Sequence, residues 1–128
     1  MSKLPRPTAS ELAILHVLWE QGPATVRQVH EALADQAADR ATGYTTTLKL
    51  MQIMAEKGLV ARDESARTHV YSARVPQQQA QKQLVGDLIA KAFGGSAARL
   101  VMHALSTHPA SKEELAEIRR LIEQEKRK

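Results

Sequence analysis

GYTTTLKLMQIMAEKGLV, residues 43–60, has the apolar spacing of one face of an α-helix. Apolar or partly apolar side chains recur at positions i, i+3, i+4 and i+7, which are Thr47, Leu50, Met51 and Met54. The pattern stops at the Lys-Gly pair, a common end of a helix. Three consecutive threonines are poor helix formers, because a β-branched side chain loses rotamer freedom in a helix. The segment therefore predicts an amphipathic helix. The threonines on its outer face do not favour the helix, so we expect them to have another role.

Two further helices are predicted before this segment. Thr8 and Glu11 have the spacing of a capping box, and the apolar run that follows them ends at a Gly-Pro pair. Thr25 and Gln28 have the same spacing ahead of a second, shorter helix. A polar stretch, residues 35–43, then leads to the third helix.

A β-hairpin is predicted after the third helix. The run LVAR, residues 59–62, is followed by a charged loop and by THVYSARV, residues 68–75, in which exposed and apolar positions alternate. Three helices followed by a hairpin have the order of a winged helix-turn-helix. We therefore expect a winged-helix domain over residues 1–75.

Residues 76–128 predict three amphipathic helices. So short a region cannot bury three apolar helix faces by itself, so we expect a second copy of the chain to pack against them. The expected fold is thus mainly α, with a winged helix-turn-helix domain (three helices plus a small β-hairpin wing) followed by a three-helix dimerisation region. The apolar positions assigned to the dimer contact are Leu84, Leu88, Phe93, Leu100, Leu115, Ile118 and Leu121.

Composition and motifs argue against several function classes. The chain has no cysteine, and its five histidines show no pairing at i, i+4, so we expect no metal site and no cofactor. It also lacks nucleophile-elbow, phosphate-loop and dinucleotide-binding motifs, so we expect that it is not an enzyme. No apolar run is long enough to span a membrane and no signal peptide is evident, which predicts a cytoplasmic protein without membrane insertion.

Nucleic-acid binding agrees better with the sequence. The net charge of +4 permits it, and in a helix-turn-helix the third helix enters the major groove. The outer face of that helix supplies hydroxyl, ammonium and amide groups that can bind phosphates and base edges, and the wing loop supplies an arginine. The predicted DNA-binding residues are Thr45, Thr46, Lys49, Gln52 and Arg67.

Four positions on the third helix admit more than one interpretation. Thr45 or Thr46 could instead cap the helix. Leu48 lies off the core stripe, as does Ile53, so each is expected to be exposed, to touch a DNA methyl group or to pack on a neighbouring element. Asp63 and Glu64 lie beside the wing arginine and are expected to neutralise part of its charge.

The sequence resembles the penicillinase-repressor (BlaI/MecI) family of bacterial transcriptional regulators. The matching stretches are SELAILHVLWEQGPATVRQVHEAL, GYTTTLKLMQIMAEKGLVAR, ARTHVYSARV, AFGGSAARLVMHAL and SKEELAEIRRLIEQ, which together cover nearly the whole chain. The resemblance implies a homodimeric repressor that binds a palindromic DNA operator of β-lactam-resistance-type genes. It also implies release from DNA after cleavage of the repressor, with a membrane sensor-protease as a partner.

The chain departs from the family pattern at the cleavage position. Well-known members are cut between an asparagine and a phenylalanine in the short helix after the glycines, and His103 and Ala104 occupy that place here. These two residues are the candidate cleavage position. Two other functions stay open at this point: direct sensing of a small molecule among the apolar residues of the C-terminal region, and a winged helix that binds protein rather than DNA.

Overall fold

The structure, a computed structural model, describes residues 6–36 and 43–127. Most of the polar stretch predicted between the second and third helices lies outside the described residues. The chain divides into two compact units between Gln81 and Lys82. The elements follow in the order α1 (Ala9–Gln21), β1 (Ala24–Thr25), α2 (Val26–Gln36), α3 (Tyr44–Lys57), β2 (Val60–Asp63), β3 (Val70–Ala73), α4 (Gln77–Ala92), α5 (Ala97–Thr107) and α6 (Lys112–Lys126).

The predicted capping boxes form. The Thr8 hydroxyl accepts a hydrogen bond from the Glu11 amide at 3.2 Å, and the Glu11 carboxylate accepts one from the Thr8 amide at 2.8 Å. Thr25 and Gln28 make the same reciprocal pair ahead of α2. Each pair satisfies two backbone groups that the first turn of a helix leaves without a partner.

The end of α3 is fixed by Gly58. Its φ of 85° lies in the left-handed region, which a side chain would disfavour. The turn lets the Leu59 amide donate to the Met54 carbonyl at 2.9 Å, so the chain reverses direction into β2.

The predicted hairpin of β2 and β3 forms, and a third strand, β1, that the sequence did not predict joins it in an antiparallel sheet of order β1-β3-β2. Ala24 pairs with Tyr71 and Thr25 with Val70. We use the term wing for β2, β3 and the loop between them, residues 60–73. Because β1 directly precedes α2, the extra strand connects the wing to the start of α2.

One core fills the first unit, between α1, α2, α3 and the sheet. The third helix contributes Met51 and Met54, both fully buried, while Leu50 is half-buried against the same cluster. Trp19 packs against this core, and its indole Nε1–H donates a hydrogen bond to the Val75 carbonyl at 2.9 Å. The other buried apolar residues are Ile14, Leu15, Val17, Leu18, Ala24, Val26, Val29, Leu59, Val60, Tyr71, Val75 and Ala80.

The second unit has little core of its own. Neither α5 nor α6 contains a fully buried residue, although both helices are well formed and capped by Ser96 and Ser111. Among the expected dimer residues, Leu88, Leu115 and Leu121 are 46%, 37% and 52% exposed. The remaining four, Leu84, Phe93, Leu100 and Ile118, are half-buried. No helix within residues 6–36 and 43–127 is both long and apolar enough to cross a bilayer.

Candidate nucleic-acid interface

The outer face of α3 consists of exposed polar side chains. Thr45, Thr46, Lys49 and Gln52 are all exposed, whereas Thr47 is fully buried and its hydroxyl donates to the Gly43 carbonyl at 3.5 Å. The N-cap of the helix is Gly43, which has no side chain to make a cap bond. The alternative in which Thr45 or Thr46 caps the helix is therefore wrong. Both threonines lie within the first turn, on the surface.

Leu48 is not exposed as Thr46, Lys49 and Gln52 are. It is half-buried and packs against the core of the first unit. Of the three interpretations open to it, packing on neighbouring elements is the one observed. Ile53 is likewise half-buried.

A cleft opens between α3 and the wing, and we call it the α3–wing cleft. None of the described side chains that line it is acidic, and three of them are arginines. Half-buried Leu48 and buried Tyr71 are among its lining residues. The lining residues are Thr25, Val26, Arg27, Tyr44, Leu48, Gln52, Arg62, Arg67, Thr68, His69 and Tyr71.

The two wing arginines in the cleft differ in their electrostatic surroundings. The Arg62 guanidinium lies 2.9 Å from the Glu64 carboxylate. A hydrogen bond to Tyr71 and this ion pair raise the pKa of Arg62 further above its ordinary value. Arg67 is exposed, and within the described residues no carboxylate pairs with it. The expectation that Glu64 neutralises Arg67 is therefore wrong, because the glutamate is engaged by Arg62.

The other wing acid is also engaged locally. The Asp63 carboxylate accepts a hydrogen bond from the Ser65 amide at 2.9 Å. Hydrogen bonds from the side chain and backbone of Ser65 lower the pKa of Asp63, so its charge stabilises the turn at the wing tip. The exposed cation at that tip is Arg67.

The start of α3 is held against α2 by aromatic contacts that the sequence analysis did not single out. The Arg27 guanidinium carbon lies 5.3 Å from the centre of the Tyr44 ring, and the His30 ring meets the same ring edge-on at 5.8 Å. His30 Nδ1 also lies 3.4 Å from the Thr47 hydroxyl. The sequence feature that marks Arg27 is its position in the first turn of a helix, where an acidic residue is usual.

The candidate cleavage position lies inside a helix. His103 and Ala104 are exposed residues of α5, and the His103 carbonyl accepts hydrogen bonds from the Ser106 and Thr107 hydroxyls, both at 2.9 Å. The His103 ring also contacts the Phe93 ring, with centroids 5.4 Å apart. The peptide bond is thus on the surface but in regular helical conformation.

Comparison with known proteins gives one consistent result. A family model described as penicillinase repressor matches residues 7–124. The transcriptional regulator BlaI of Mycobacterium tuberculosis, in two strains, is 42% identical over 73 residues, which is 56% of this chain and 51% of the relative. The chain therefore spans about half the length of the curated relatives it matches.

A solved structure has a similar fold. The solution structure of the DNA binding domain of the repressor BlaI superposes with a TM-score of 0.52 at 19% identity, covering 62% of this chain and 93% of that one. At that identity the likeness concerns the fold alone, a winged helix.

Proposed function

Since this chain belongs to the penicillinase repressor family, we propose that it represses transcription by binding double-stranded DNA as a homodimer. The observation that carries the proposal is the division of α3 into two faces. Thr47, Met51 and Met54 are fully buried on one side. The opposite side presents Thr45, Thr46, Lys49 and Gln52 to solvent, on the helix that enters the major groove in this fold.

Each exposed group on α3 has a chemical partner on DNA. The threonine hydroxyls can bond phosphates or base edges and their methyl groups can touch thymine methyls, whereas Lys49 supplies a cation for phosphate. The Gln52 amide matches the donor and acceptor that adenine presents in the major groove. Arg67 at the wing tip has no ion-pair partner within the described residues and is suited to phosphate or to a narrow minor groove.

Dimerisation is supported by the surface of the second unit. Leu100, Val101 and Ile118 line an apolar groove between α5 and α6, together with Leu121 and Ile122. Exposed apolar surface of this kind is rare on a monomer and marks an association site. A symmetric dimer would place two copies of α3 on two half-sites of a palindromic operator, about one helical turn apart. Repression would then be steric, because the bound dimer excludes polymerase from the promoter.

Relief of repression by proteolysis is part of the proposal. A cut between His103 and Ala104 would separate Leu115, Ile118 and Leu121 from the DNA-binding unit. The two halves would then bind DNA independently and lose the gain in affinity that a linked pair of sites provides. Since the bond is helical, a protease, such as a membrane sensor-protease, must act on a locally unfolded α5.

The test is selection of bound fragments from genomic DNA with the purified full chain. The proposal predicts enrichment of a short inverted repeat whose half-sites are spaced by about one helical turn or a multiple of it. It also predicts that the enriched sequences include promoter regions, among them those of β-lactam-resistance-type genes. Recovery of fragments with no common sequence would contradict the proposal.

A further inference from the structure

The α3–wing cleft contains a cation that the proposed function does not use. Arg27 is exposed at the second position of α2, and its guanidinium carbon lies 5.3 Å from the centre of the Tyr44 ring. That distance is within the range of about 6 Å in which an arginine is attracted to an aromatic face. Tyr44 is the first residue of α3 and is 40% exposed, with His30 against its edge.

The position of Arg27 is unfavourable in the protein alone. A helix dipole is positive at its N-terminus, so a cation in the first turn of α2 reduces stability rather than adding to it. Within the described part of the chain, no carboxylate pairs with Arg27 and none lines the cleft. Arg62 and Arg67 line the same cleft, and Glu64 offsets the charge of Arg62 alone. The surroundings of Arg27 therefore favour an anion.

We propose that Arg27, held against the ring of Tyr44, binds a backbone phosphate of the DNA beside α3. The inference rests on the proposed function and deepens it. Contact with the ring restricts the guanidinium, so less side-chain freedom is lost when the phosphate binds. Phosphate contacts carry no sequence information, so Arg27 adds affinity for any duplex, while the threonines of α3 discriminate between sequences. Tyr44 is a positioning residue that acts through Arg27.

The first experiment measures the salt dependence of binding to a mixed-sequence duplex by the full chain and by Arg27→Gln. Loss of one phosphate contact reduces the slope of log affinity against log salt by about 0.9. When salt rises from about 50 mM to about 200 mM, the factor by which Arg27→Gln loses affinity should therefore be about three- to fourfold smaller than the factor for the wild type. Arg119→Gln, which removes an exposed arginine of α6, is the matched control and should leave the slope unchanged.

The second experiment tests the positioning role. Tyr44→Leu, which removes the aromatic face, should weaken binding to the same duplex by about two- to fivefold, whereas Tyr44→Phe should keep it. In the Arg27→Gln background, Tyr44→Leu should have no further effect, because the residue that the ring holds is already gone. A loss of the same size in both backgrounds would overturn the positioning role.

The outcomes separate this inference from the function on which it rests. If the wild type binds no duplex DNA, both fail. If the wild type binds with a steep salt dependence that Arg27→Gln leaves unchanged, the inference alone is overturned. Because Arg27 is exposed and its charge is unfavourable at the start of α2, the variant should keep the circular dichroism spectrum of the wild type and melt no lower, so a changed slope reports binding and not folding.

Discussion

The Lys57 ammonium lies 2.9 Å from both carboxylate oxygens of Glu11. Glu11 is 2% exposed at the start of α1, and Lys57 is the last residue of α3. The pair therefore joins the C-terminal end of α3 to the N-terminal end of α1. Contacts of Tyr44 with α2 hold the other end of α3, so both ends of the helix that carries the proposed DNA contacts are attached to the rest of the first unit.

Glu11→Gln should lower the free energy of unfolding by about 1–2 kcal/mol. Glutamine keeps the bond to the Thr8 amide but cannot neutralise Lys57, whose side chain is 36% exposed and can rehydrate. Urea denaturation of both proteins measures the difference. The matched control is Lys57→Met in the Glu11→Gln background, which should cost little more, because the pair is already broken. If Lys57→Met lowered the free energy of unfolding as much in the Glu11→Gln background as in the wild type, the two residues would not interact.

Stability should also depend on pH through Glu11. Burial by itself raises the pKa of this carboxyl, but the hydrogen bonds from Lys57 and Thr8, with the charge of Lys57, together lower the pKa below its ordinary value of 4.5. A group with a depressed folded pKa contributes stability above its unfolded pKa, here the ordinary value of 4.5, and loses it as the pH falls through the folded value. The wild type should therefore lose stability on acidification below about pH 5, and Glu11→Gln should lose less. If the two proteins lost the same free energy of unfolding on acidification, Glu11 would not be the group responsible.

Trp19→Phe should destabilise the first unit by about 1 kcal/mol. The substitution keeps an aromatic ring against the core but removes the indole donor, so the Val75 carbonyl loses its bond at 2.9 Å. Thermal melting followed by circular dichroism measures the change, since the variant has no tryptophan fluorescence. A melting temperature equal to that of the wild type would show that water replaces the indole without cost.

Leu121→Asp should convert the proposed dimer to a monomer. Leu121 is 52% exposed, so in a monomer its substitution should change stability by no more than about 0.5 kcal/mol. In a dimer the new charge would be buried against the partner and would disfavour association. Sedimentation velocity should show a dimer for the wild type and for the control Arg119→Gln, and a monomer for Leu121→Asp. A wild type that sediments as a monomer at all concentrations would refute the dimer.

Local sequence signals predicted most of the helical structure. The capping pairs of Thr8 with Glu11 and of Thr25 with Gln28 form as expected, because they depend on residues only three positions apart. The helical period also separated buried Thr47 from exposed Thr45 and Thr46. Those decisions require no knowledge of the tertiary structure.

Long-range features could not be read in the same way. Strand β1 has two residues, Ala24–Thr25, which is too short for an alternating pattern, and its threonine also serves as a helix cap. The Glu11–Lys57 pair joins residues 46 positions apart. Leu48 packs on elements whose placement follows from the whole fold. In each case the partner is set by tertiary structure, which one local pattern does not encode.

We propose above all that the exposed threonines of α3 discriminate between base sequences. The direct measurement is the ratio of affinities for the selected inverted repeat and for a mixed-sequence duplex, at one salt concentration, for the wild type and for Thr45→Ala with Thr46→Ala. We predict that the double substitution lowers this ratio by about 10- to 100-fold, while alanine's higher helix propensity slightly raises the melting temperature. Thr107→Ala, on the surface of α5, is the control and should leave the ratio of affinities unchanged. An unchanged ratio in the double variant would contradict the account.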